Sequence, residues 1–155
     1  MTKAENPSSR PLDHLARRGA PDAVALLIGD RVTTFADLDA GVGRLASWLL
    51  EQAGGPGERV ASWSAKTRLA CLMPLAAARA GLIHVPVNPL LKGPQVAHIL
   101  SDSGAKVLVV DREFSAVVAQ LAQHLPDIKV VGLDYTPDGA PSFDELLASG
   151  SGDGR

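Results

Sequence analysis

Lys106-Val-Leu-Val-Val-Asp111 is the stretch that decides the fold. Four consecutive aliphatic residues leave no polar face, which is how a strand reads when helices cover both sides of a parallel sheet. Just upstream, Pro94 opens a short helix over residues 94–101, at a position where proline's missing amide costs nothing, and Gly104 ends it. Downstream, Phe114, Val118, Leu121 and Leu125 recur at helical spacing, and residues 128–133 supply a further strand. Strands alternating with helices predict an α/β, doubly wound architecture with a mostly parallel sheet and helices on both faces.

The alternation continues toward the N-terminus. Val24–Ile28 and residues 31–33 are short apolar or β-branched stretches joined by Gly29-Asp30, a hairpin-type turn dipeptide. Phe35, Leu38, Val42, Leu45 and Leu49 then mark one face of a helix over residues 35–49. Thr34 and Asp37 have capping-box spacing, and Gly54-Gly55-Pro56-Gly57 stops the helix. Arg59–Trp63 reads as a strand. Residues 67–80 read as a helix apolar nearly all round and hence buried, with Pro74 kinking it or marking its true start. Residues 84–87 form another strand, closed by Asn88-Pro89. Ser142 and Glu145 cap a last short helix to Ala148, and residues 149–155 are flexible in composition.

The chain has 155 residues, 46% hydrophobic, 21% charged and 4% aromatic, with a net charge of −2. That is a globular composition. The charge is too small and the basic residues too scattered to predict a nucleic-acid partner. The longest apolar run, Leu69 to Ala78, is half the roughly 20 residues a membrane span needs, so none is expected. The N-terminus lacks the apolar core of a signal peptide, which predicts a cytoplasmic protein. The lone Cys71 has no internal disulfide partner.

Motifs that could carry chemistry are few. Gly41-Val-Gly-Arg-Leu-Ala46 matches a dinucleotide pattern, yet it falls inside the 35–49 helix rather than in a turn after a strand. Close packing of another element explains the small residues better. The glycines of residues 149–154 lack the lysine and preceding strand of a phosphate loop. His14, His84, His98 and His124 make no local metal-binding pair, and Cys71 reads as a small apolar residue. No G-x-S-x-G elbow is present. Asp111 ends a strand as the phosphorylated aspartate of a receiver domain does. No earlier acidic pair accompanies it, so it is expected to cap the next turn. Trp48 and Trp63 are too isolated to form a base-stacking platform.

Four segments in order resemble the N-terminal part of the AMP-forming adenylating enzymes, the acyl-CoA synthetase superfamily. Val32-Thr-Thr-Phe-Ala-Asp-Leu38, followed by Arg44-Leu-Ala46 and Leu49, is similar to that family's early helix start. Gly57-Glu-Arg-Val-Ala61 resembles its strand entry. Ala76-Ala-Ala-Arg-Ala-Gly-Leu-Ile-His-Val-Pro-Val-Asn-Pro89 is similar to its Ala-Gly/Val-Pro/Asn-Pro motif. Gln95-Val-Ala-His-Ile-Leu100 and Asp102-Ser-Gly-Ala-Lys-Val-Leu108 continue in register. The wording between Cys71 and Gln95 is most similar to exosortase-associated acyl-CoA ligases of bacterial exopolysaccharide loci.

The resemblance implies an incomplete piece of a larger N-terminal domain, with residues 1–20 as a lead-in, 21–148 as the subdomain and 149–155 as a tail. It implies a parent that uses ATP, Mg and coenzyme A to convert a carboxylic acid through its adenylate to the acyl-CoA. The family's phosphate loop and later motifs have no match here. No catalytic, cofactor-binding or metal residue is therefore assigned, and the chain alone is expected to be inactive and to bind none of these cofactors. The missing C-terminal portion of the ligase is the expected protein partner. Two alternatives remain: a catalytically dead stand-alone binding or regulatory module on the same scaffold, and a receiver-like signalling domain using Asp111.

Overall fold

The computed structural model describes residues 10–125, 127–133 and 145. A hairpin comes first, with β1 (Val24–Ile28) antiparallel to β2 (Arg31–Thr34) around the two-residue Gly29-Asp30 turn. Gly29 takes φ 58°, a region glycine enters without penalty. The register shifts between Val24 and Leu26, so Ala25 is the extra residue of a bulge.

Helix α1 (Phe35–Ala53) starts on the expected capping box. Thr34 Oγ1 accepts from the Asp37 amide at 3.1 Å, and the Asp37 carboxylate accepts from the Thr34 hydroxyl at 2.9 Å. Two more of its orphan amides, those of Phe35 and Ala36, donate to the carbonyls of Ala23 and Pro21, each at 3.0 Å. Leu38, Val42, Leu45 and Leu49 are buried as the spacing requires. The helix runs a turn past residue 49, because nothing in Leu50-Glu-Gln-Ala53 stops it before the left-handed Gly54.

The main sheet has four strands in the order β4-β3-β5-β6, all parallel: β3 (Arg59–Trp63), β4 (Ile83–Val87), β5 (Val107–Asp111) and β6 (Lys129–Leu133). The connections are α2 (Arg68–Arg79), α3 (Gly93–Ser103) and α4 (Ser115–Ala122), the last preceded by a 3₁₀ turn at Arg112–Phe114. Alternate side chains of the strands enter two cores. Val60, Val107 and Val109 pack with α1 and α2, whereas Ala61, Trp63, Leu108 and Val110 pack with α3 and α4. That division is the doubly wound arrangement the apolar β5 run predicted, with every β5 residue buried.

Of the two alternatives for Pro74, the structure removes one. Pro74 lies inside α2, so it does not mark the start of that helix; it leaves the Ala70 carbonyl without a helical amide to accept from. Pro86, in register beside Ser62, is tolerated because β4 is an edge strand, where a missing donor is not missed by a neighbour. The expected capped helix over residues 142–148 and the tail over 149–155 lie outside the described residues, apart from helical Glu145.

No element was assigned to the lead-in from sequence, yet Leu12–Arg17 forms a 3₁₀ turn docked on α1 and α2, with Ala16 wholly buried. An ion network holds it there. Arg79 Nε donates to Asp13 Oδ2 at 3.2 Å and Arg79 Nη2 to Asp39 Oδ1 at 2.6 Å, while Arg17 Nε donates to the same Asp39 oxygen at 2.9 Å. Burial alone would raise the Asp39 pKa; the hydrogen bonds and charges of Arg79 and Arg17 outweigh it and bring the carboxyl below its ordinary value.

Candidate functional site

Sheet growth reverses after β3, with β4 laid on one side of it and β5 on the other. In open α/β sheets the crevice at the carboxyl ends of such strands is where ligands bind. Here those ends carry Trp63, the last residue of β3, with Ser64-Ala65 following it, and Asp111, the last residue of β5. The Ala65 amide donates to Asp111 Oδ2 at 2.8 Å, tying the loop after β3 to the end of β5. Asp111 therefore caps the neighbouring strand's loop. It makes no side-chain cap to the turn it precedes, contrary to the expectation from sequence. On the α3/α4 face, Trp63 stacks on Phe114 with ring centroids 4.3 Å apart and planes 10° from parallel, which fills that side of the crevice with apolar surface.

A cleft of about 520 Å³ opens beside the ends of β3 and β4, lined by Ser62, Ser64, Ala70, His84, Pro86 and Asn88 among others. Ser62 Oγ and His84 Nε2 share a hydrogen bond of 2.9 Å at the cleft. The two residues lie 22 positions apart, and it is the β3–β4 register, Val60 beside His84 and Ser62 beside Pro86, that brings them together. No sequence signal marked the pair, because register between parallel strands is set by the intervening crossover and not by local pattern. Burial pushes the His84 pKa down to about 4. The imidazole is thus neutral near pH 7 and a weak base, whereas a serine-activating histidine works best with a pKa near the operating pH. No described carboxylate bonds its other ring nitrogen. The pair suits a polar cleft wall better than a nucleophile.

The other residues singled out in the sequence fall in structural positions. His14, His98 and His124 are exposed and Cys71 is half-buried against the α1/α2 core. Gly41 and Gly43 sit buried in α1, where added Cβ atoms would lie 3.3 Å from Leu72 Cδ2 and 3.5 Å from Arg79 Nη1. The glycine pattern serves close packing of α1 on α2. Among the described residues no group of three or more His, Cys, Asp or Glu could hold a metal ion, and no helix is long and apolar enough to cross a membrane.

The profile of the AMP-binding enzyme family matches residues 12–153. The chain belongs to that family. It is 32% identical over 149 residues to the human mitochondrial medium-chain acyl-CoA ligase ACSF2, covering 84% of this chain and 24% of that protein. It is 37% identical over 127 residues to a feruloyl-CoA synthase from an Amycolatopsis species, covering 81% of this chain and 26% of that one. The structure of the anthranilate CoA ligase AuaEII in complex with anthranoyl-AMP superposes with a TM-score of 0.86 at 24% identity, covering 98% of this chain and 30% of that one; this supports the fold. The chain thus spans about a quarter of the length of these two relatives. Family membership also displaces the receiver alternative for Asp111, whose carboxylate is already engaged by the Ala65 amide.

Proposed function

We propose that this chain is the N-terminal scaffold of an AMP-forming acyl-CoA ligase and does no chemistry alone. The parent would couple ATP cleavage to adenylation of a carboxylic acid and then pass the acyl group to coenzyme A. The observation that carries this reading is identity above 30% to named acyl-CoA ligases across four-fifths of the chain, on the same doubly wound sheet. The two relatives differ in their acids, one medium-chain and one feruloyl, so only the carboxylic-acid class is taken over.

Adenylation needs positive charge and Mg arranged around the transferring phosphates. What supports leaving the described residues out of it is that they hold no group of three or more His, Cys, Asp or Glu for a metal and place an aromatic pair and a carboxylate at the ends of β3 and β5. No step of the reaction is assigned to them. The division into a lead-in over 1–20, a subdomain over 21–148 and a tail over 149–155 belongs to this reading, as does a cytoplasmic location.

The test is the intact mass of the polypeptide in its native source, paired with acid-dependent ATP–pyrophosphate exchange by the 155-residue chain. A native mass several times 16.1 kDa with a blank exchange assay is expected. Exchange by the short chain itself would overturn the inactive-scaffold reading. A native mass of 16.1 kDa would favour the stand-alone module.

A further inference from the structure

The cleft beside the ends of β3 and β4 has walls of Ala65, Ala70, Pro86, Val87, Pro89 and Leu90, with no aromatic ring among its lining residues. Leu90, on that lining, is 81% exposed, more than any other large apolar residue described. The volume of about 520 Å³ lies in the range of small-molecule pockets, which set a few placed polar groups in mostly apolar walls. Ser64 and Lys66 are such groups here. Ser64 is only 9% exposed, yet its hydroxyl bonds no described residue, whereas a hydroxyl that buried normally has a partner. Lys66 is exposed, is the one charged residue lining the cleft, and pairs with no described carboxylate. The loop that carries both is held in place. Its Ala65 amide donates to Asp111 and its Thr67 amide to the Ala65 carbonyl, each at 2.8 Å. Asp111 belongs to β5, on the other side of β3 from the cleft, and does not line it. Ser62 and His84 bond each other and add polar wall without charge.

We propose that this cleft binds an aliphatic chain with one anionic head group, the chain lying on Pro86, Pro89 and Leu90 and the head held by the Lys66 ammonium and the Ser64 hydroxyl. The inference does not depend on the function proposed above, because every group it uses belongs to this chain. An unpaired ammonium beside a free hydroxyl selects a negative head, since hydrogen bonds to charged groups are the strong ones. The apolar wall selects the chain, whose burial would cover Leu90. A carboxylate and a phosphate monoester share this head-group chemistry. In either case side chains hold the head, so the Ala65 amide can stay on Asp111.

The experiment is titration of the ¹⁵N-labelled 155-residue chain with octanoate, octyl phosphate, octan-1-ol, octylammonium and inorganic phosphate, read by amide chemical shifts. Saturable shifts at Ser64, Lys66 and Leu90 are expected with octanoate or octyl phosphate, at about tenfold higher affinity than with octanol. Octylammonium should leave these amides unmoved, and the tighter of the two anions identifies the head group. Equal affinity for the anionic, neutral and cationic chains would reduce the cleft to an apolar patch and overturn the proposal. Inorganic phosphate binding as tightly as octyl phosphate would remove the role of the apolar wall and overturn it too. So would saturable shifts confined to other parts of the chain, or none at all. Two variants separate head from chain. Lys66→Gln, at an exposed position, should weaken the anion about tenfold and leave octanol unchanged. Leu90→Asn should weaken anion and alcohol alike. Anion affinity that survives Lys66→Gln overturns the assignment.

Discussion

Replacing His84 by Gln should flatten the acid side of the stability profile. In the folded chain burial holds the His84 pKa near 4, whereas in the unfolded chain it titrates near its ordinary value of 6.5. Between these values the unfolded state binds the extra proton and the folded state does not, so stability rises with pH across the window. The contribution is complete above pH 6.5 and is lost progressively as pH falls to 4. A gap of about 2.5 units corresponds to at most about 3 kcal/mol at 1.36 kcal/mol per unit. The ring is half-buried and the cleft admits water, so about 1–2 kcal/mol is the working figure after screening. Glutamine can still accept the Ser62 hydroxyl, and the loss of packing it causes does not depend on pH. Urea unfolding of both proteins at half-unit steps from pH 7.5 to 4.5 gives the difference directly, with every other titrating group cancelling between them. The wild type should lose about 1–2 kcal/mol more than His84→Gln over that range. Parallel profiles would refute the claim that burial at the β3–β4 edge governs this histidine.

Three further substitutions probe the scaffold. Arg79→Met leaves the buried Asp13 carboxylate without its cation and Asp39 with Arg17 alone, and should cost about 3 kcal/mol by thermal unfolding; adding Asp13→Asn and Asp39→Asn should recover part of it. Gly41→Leu must displace Leu72 and Arg68 from the α1–α2 contact and should cost about 1–3 kcal/mol in urea, with Gly41→Ala much closer to neutral. Asp111→Ala removes the acceptor of the Ala65 amide, so hydrogen exchange there should accelerate and stability should fall by about 1–3 kcal/mol. An Ala65 amide that exchanges no faster would mean the β3 loop is held by something else.

The fold was legible because its signals are local. The aliphatic β5 run, the stripe of Leu38, Val42, Leu45 and Leu49, the Thr34–Asp37 box and the Gly29-Asp30 turn each depend on residues within a few positions of one another. What the sequence concealed is uniformly long-range. Ser62 meets His84 through strand register, Asp111 reaches across to Ala65 at a separation of 46, and Arg79 binds Asp13 from 66 positions away. None of these pairings has a period or a motif. The docked 3₁₀ turn at Leu12–Arg17 was missed for the same reason, since its order comes from Ala16 and Asp13 meeting α1 and α2.

The switch-point crevice bears on the proposed reading of the chain as a scaffold. In doubly wound proteins that bind phosphate, the loop after the first parallel strand runs glycine-rich into a helix whose amides are left open to the anion. In this chain the corresponding loop is Ser64-Ala-Lys-Thr67, and the Ala65 amide is committed to the Asp111 carboxylate. A carboxylate at that point opposes an anion, and Trp63 on Phe114 fills the α3/α4 side with rings. The sheet keeps the crevice that the topology creates, with the Ala65 amide of its first loop already taken. We propose that the nucleotide-binding residues of the parent ligase lie in segments other than those described.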